Sequence, residues 1–133
     1  MNEKGQASIA FNSILSPWFR FILTYDPKPT LSRVKCPVLA LNGEKGLQAP
    51  PKENLGAIKQ TLATGGNKRF TIKELPNLNH LFQTAETGSP TEYSRIEETI
   101  SPKALKIMGD WIFKTNWQKI IKINRKIRLD LFD

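Results

Sequence analysis

The stretch "CPVLALNGEKGLQAPP", residues 36–51, decides how the chain is read. Val38 to Leu41 form a continuous apolar run closed by Asn42-Gly43, and the paired prolines Pro50-Pro51 open the next segment. An uninterrupted apolar run suits a strand covered on both faces, as in parallel sheets. The expectation is a strand over 38–41 that stops at Asn-Gly, a turn through Glu44-Lys45-Gly46, and a helix from Pro51. Glu53 falls in that helix's first turn, where negative charge is favoured. Leu55, Ile58 and Leu62 recur on one side, and Gly65-Gly66 supply the stop.

Beyond this unit, "RFTIKEL" alternates Phe70 and Ile72, with Leu75 one step out of phase, and reads as a second strand. "PNLNHLFQTAETGSP", from Pro76, reads as a loop and holds the only histidine, His80. Ser101-Pro102 pairs a capping serine with a proline suited to the first helical position. Leu105, Met108 and Ile112 mark the apolar side of the helix begun there. Toward the N-terminus Ser16-Pro17 repeats the signal, so "PWFRFILTY" reads as a short, largely buried helix ending before "DPKP". Strands separated by helices imply a parallel sheet with right-handed crossovers. Two strands alone leave backbone groups open on both edges, so the pattern reads as part of a sheet. The fold class expected is α/β, with about two parallel strands and three to four helices.

A length of 133 residues bounds the chain to one domain. Charged residues at 24% argue against wholesale disorder. No apolar run approaches the ~20 residues that span a bilayer. "MNEKGQASIAF" has no apolar core of a signal peptide, so a cytoplasmic location is expected for the chain as it stands. One cysteine and one histidine exclude a disulfide framework and Cys/His zinc sites, and no metal or cofactor is expected. Cys36 opens an apolar strand and is expected to be a small buried hydrophobe. Residues 114–133 hold six cationic side chains against two carboxylates, a net +4, half of the total +8. The organisation expected is a lead-in over 1–14, a body over 15–113 and a basic helical tail over 114–133. The tail carries Trp117, Ile120, Ile121, Asn124, Ile127 and Leu131 at helical spacing. It can pack on the body, bind a partner or second copy, or lie on a membrane surface or nucleic acid.

Chemistry is narrowed by absences. "GGNK" lacks P-loop spacing, and none of the seven serines comes after a Gly-x step, so there is no Gly-x-Ser-x-Gly. Glu97-Glu98 are expected to face solvent ahead of the last helix. His80 remains, directly after a parallel strand, at the carboxyl edge where α/β folds place catalysts. Adjacent parallel strands bring the His80 loop and the "NGEKG" loop side by side. A histidine on one and an acid on the other would form the base half of a triad.

"CPVLALNGEKGLQAPPKENL", "ELPNLNHLFQTAETG" and "EYSRIEETISPKALKIMGDWI" together resemble the C-terminal part of α/β-hydrolase fold enzymes, in particular the esterase- or peptidase-like serine hydrolases. The resemblance covers roughly residues 15–113. It implies a partial α/β-hydrolase fold lacking the N-terminal half. The helix from Pro102 to about Phe113 would be the closing C-terminal helix, and "SPWFRFILTYDP" the segment leading out of the cap region. In that family the triad runs Ser, Asp/Glu, His along the chain. His80 matches the catalytic histidine, and the acid's place is taken by Gly46. Loss of the orienting acid costs on the order of 10⁴ in rate; Glu44, two residues earlier, is a candidate substitute from a different turn position. The nucleophile elbow, oxyanion-hole loop and central strands have no counterpart here.

The resemblance thus implies a serine-hydrolase C-terminal portion, catalytically inactive alone. An ester or acyl small molecule would be a substrate only in a complete enzyme, and the missing N-terminal half would be a partner. The alternative is a self-associating interaction module, a homodimer built through its exposed sheet edge and basic tail. Polyanion binding through residues 114–133 ranks third, so a nucleic acid is not the expected partner.

Overall fold

The computed structural model describes residues 16–129, with side chains described up to Thr115 along the final helix. The expected lead-in over 1–14 and the tail side chains from 116 onward lie outside the described residues. The chain divides into two compact units, residues 1–30 and 31–133.

In the first unit, Ser16 and Pro17 start helix α1, Pro17–Thr24, as their chemistry dictates. The Ser16 hydroxyl accepts the Phe19 amide at 3.2 Å. Thr24 Oγ1 turns back to the Arg20 carbonyl at 2.9 Å. Asp26 then receives the Lys28 amide at 3.0 Å, which opens the single turn α2, Lys28–Leu31. The expectation of a largely buried helix is not met, because no residue of α1 is buried. Its apolar residues pack locally instead, as in the stacked rings of Phe21 and Tyr25, 5.2 Å apart.

The second unit is built on two parallel strands, β1, Val38–Lys45, and β2, Phe70–Asn79, joined by helix α3, Pro51–Thr64. The parallel α/β pattern is the one expected, but both strands run further than the sequence suggests. β1 does not stop at Asn42-Gly43. A Cβ on Gly43 would lie 2.3 Å from the Leu78 and Asn79 carbonyl oxygens, so glycine here permits close strand approach rather than a turn. β2 likewise continues through Pro76, Asn77, Leu78 and Asn79, which the sequence reads as loop. The pairing slips between Gly43↔Leu75 and Lys45↔Asn79, so Pro76 to Leu78 stand opposite Glu44 alone. This bulge accommodates a proline that has no amide to give. Asn77 takes φ 63°, and its amide is received by the Glu44 carboxylate at 2.9 Å.

Alternation places Leu41 and Leu75 on the sheet face that meets helix α4, Pro102–Leu129. There Leu75, Leu78 and Ala104 form the buried centre, with Leu41, Phe82, Ile107 and Met108 packed around it. The helix presents Ala104, Ile107 and Met108, whereas Leu105 and Ile112 are 52% exposed. The apolar side expected from Leu105, Met108 and Ile112 is therefore rotated, since a small Ala104 lets the helix sit close. Trp111 anchors the next turn by donating its indole N–H to Thr71 Oγ1 at 3.1 Å. No backbone break separates Phe113 from Lys114. α3 packs on the sheet through Leu55 and Leu62, both buried.

The start of the sheet is clamped by Asn67, 4% exposed. Its amide donates to the Val34 and Cys36 carbonyls at 3.0 and 2.9 Å, and its Oδ1 accepts the Arg69 amide at 2.8 Å. The clamp holds Cys36 by its backbone and leaves the residue exposed, contrary to the expectation of burial. Within the described residues each strand has one neighbour, so each keeps one open edge.

Candidate functional site

His80 stands one residue past the end of β2, at the carboxyl edge expected of it. Its mount is Asn79, which is fully buried. Asn79 Oδ1 accepts the amides of Leu81 and Gln83 at 2.9 and 3.0 Å, and Nδ2 donates to Gln83 Oε1 at 2.9 Å. The Asn79 backbone closes the same turn, its amide donating to the Gln83 carbonyl and its carbonyl accepting the Phe82 amide. Asparagine suits this place because its short side chain bonds amides a few residues ahead. Phe82, at φ 59°, drops back to the core, while His80 and Leu81 stay exposed. The turn is tied to α4's start by the Ser101 amide, which donates to the Phe82 carbonyl at 2.8 Å.

The neighbouring turn holds Gly46. Lys45 pairs with Asn79, so Gly46 and His80 each come directly after one member of the last pair of the ladder. The turn closes through the Gly46 amide on the Gly43 carbonyl (3.0 Å) and Asn42 Nδ2 on the Ala49 carbonyl (2.8 Å). A Cβ at Gly46 would lie 2.9 Å from the Gly43 carbonyl oxygen and 3.0 Å from Asn42 Oδ1. The turn is thus shaped around a missing side chain, and any acid there forces a shift.

Among the described residues nothing orients the His80 imidazole: no carboxylate, hydroxyl or thiol is hydrogen-bonded to it. Glu44, the substitute acid considered from sequence, is committed to the Asn77 amide across the bulge. Lys45 reaches the other way, donating to the Ala85 carbonyl at 2.7 Å. The edge therefore offers a histidine on a firmly held backbone, with no nucleophile or acid among the described residues bonded to its imidazole. No three His, Cys, Asp or Glu side chains converge on a metal-sized site among the described residues. No described helix is long and apolar enough to cross a membrane.

The connection after His80 is more ordered than its composition suggests. Glu92, in the 3₁₀ turn Pro90–Arg95, accepts the amides of Glu86, Thr87 and Gly88 at 2.6, 3.1 and 2.9 Å, and also the Thr87 hydroxyl. The Thr87 hydroxyl first, then the Glu86 amide, pull the Glu92 carboxyl down from 4.5 to about 2. Glu98 is half-buried and takes the Thr84 amide at 2.5 Å, so it does not simply face solvent as expected. Sequence reasoning passes over Asn79 and Glu92. The signals are present as an asparagine at a strand's end and a glutamate three residues after Ser89, which caps the 3₁₀ turn.

No family model, curated protein or solved structure matches the chain.

Proposed function

We propose that this chain is the C-terminal portion of an α/β-hydrolase-type serine hydrolase, catalytically silent by itself. The observation that carries the reading is the adjacency of the His80 and Gly46 turns at one edge of two parallel strands joined by a helix. A triad needs a histidine and its orienting acid on neighbouring loops of this kind. The histidine's place is filled; the acid's is taken by a glycine whose turn leaves no room for a side chain. Among the described residues no serine is bonded to His80 and Glu44 is engaged elsewhere, so neither a nucleophile nor an orienting group is bonded to the base. Its part in a complete enzyme would be to supply the histidine loop and the closing helix, for an ester or acyl substrate. The purified chain should show no labelling by a fluorophosphonate probe; a labelled serine would overturn the reading. An in-frame Gly-x-Ser-x-Gly in transcript upstream of Met1 is the matching expectation.

The edges that β1 and β2 leave open among the described residues favour a second reading, a self-associating module in which strands pair across a two-fold axis. Sedimentation over a range of concentrations decides it, and a strictly monomeric species at high concentration rules it out.

A further inference from the structure

At the end of the sheet opposite His80, the starts of β1 and β2 and the middle of α4 enclose an open groove of about 470 Å³. That volume falls within the ~300–1,000 Å³ typical of small-molecule sites. Its floor is apolar and half-buried, formed by Leu39, Ile107 and Trp111 on the sheet face that meets α4. The indole N–H of Trp111 is already bonded to Thr71, so the floor has no polar demand from this ring. Its rim is cationic. Lys68, Lys73 and Lys114 are exposed and have no hydrogen-bond or ion-pair partner among the described residues. Arg69 also lines the groove, with its guanidinium on the Lys35 carbonyl at 2.6 Å. The one carboxylate on the rim, Asp110, is held by Lys106 at 2.7 Å.

An apolar floor under three ammonium groups with no partner among the described residues selects against both simpler kinds of ligand. A wholly apolar molecule would strip water from the lysines without replacing it. A strongly hydrated polyanion would use the rim and leave the floor empty. We propose that the groove binds a small amphipathic anion, with a ring or short chain seated on Leu39, Ile107 and Trp111 and one carboxylate or phosphate among Lys68, Lys73 and Lys114. This site lies away from the His80 edge and does not draw on the hydrolase reading.

Titration calorimetry of the full chain tests the proposal, with octanoate, octyl phosphate, octanol and octyltrimethylammonium as probes below their micellar concentrations. Octanoate and octyl phosphate should bind one to one, and their relative affinity tells which head group the rim prefers. Octanol should bind at least about tenfold more weakly, and the cation not at all. The double variant Lys68→Glu/Lys73→Glu should weaken the better anion by about tenfold or more. A control, Lys52→Glu/Lys59→Glu on the exposed side of α3, makes the same charge change outside the groove and should leave affinity unchanged. The proposal is overturned if neither anion binds, if octanol matches them, or if the control loses as much affinity as the groove variant.

Discussion

Glu92 and Asn79 each replace regular secondary structure with side-chain bonds, and each makes a prediction at the scale of one residue. The Glu92 carboxyl lies at about 2 in the folded chain against 4.5 ordinarily. A depressed carboxyl contributes stability that is present above its unfolded value and disappears as pH falls through the folded one. The window is therefore about pH 4.5 down to about 2. Urea midpoints measured across it should fall more steeply for the wild type than for Glu92→Gln, and parallel slopes would contradict the assignment. Asn79→Ala strands the amides of Leu81 and Gln83, so it should cost about 2–3 kcal/mol by denaturant unfolding. A loss under about 0.5 kcal/mol, the size of an ordinary surface change, would mean the turn holds without its hub.

Element by element, the legibility of the sequence depends on how far away the determining contacts lie. Helix starts at Ser16-Pro17 and Ser101-Pro102 are legible because a cap and its first turn are neighbours in the chain. The ends of β1 and β2 are not, because a strand lasts as long as its partner offers bonds, and that partner is about thirty residues away. Gly43 illustrates this: locally Asn42-Gly43 signals a turn, yet the Leu78 and Asn79 carbonyls opposite make it strand interior. Gly43→Ala should consequently separate the strands at their carboxyl ends and cost about 3 kcal/mol, beyond the usual β-strand gain of alanine over glycine. A neutral or stabilising result in thermal unfolding would refute the close approach. The sequence misplaces the face of α4 by a single step because alanine carries little hydrophobic signal, although Ala104 is fully buried. The candidate site is legible in its one histidine and in the glycine of the adjoining turn. The roles of Asn79, Glu44 and Glu92 depend on folded contacts that composition does not register.

At the scale of the molecule, the buried apolar residues among those described are Leu55, Leu62, Leu75, Leu78, Ala85 and Ala104. The edge that each strand keeps open among the described residues offers a way to bury more surface. If copies pair, the melting temperature should climb with protein concentration, as binding to the native state requires. A melting temperature independent of concentration would leave the single chain to stand on its own core. The segment between β2 and α4 bears on a different property. Gly88, at φ 77°, brings its backbone against Lys45, whose ammonium reaches the Ala85 carbonyl, while Glu92 occupies the amides between. A protease must draw a stretch of chain into an extended form before it can cut, and here that means releasing the end of β1 as well. Nicking of this irregular stretch should therefore wait on unfolding of the sheet, and residues inserted there would be felt at the far turn.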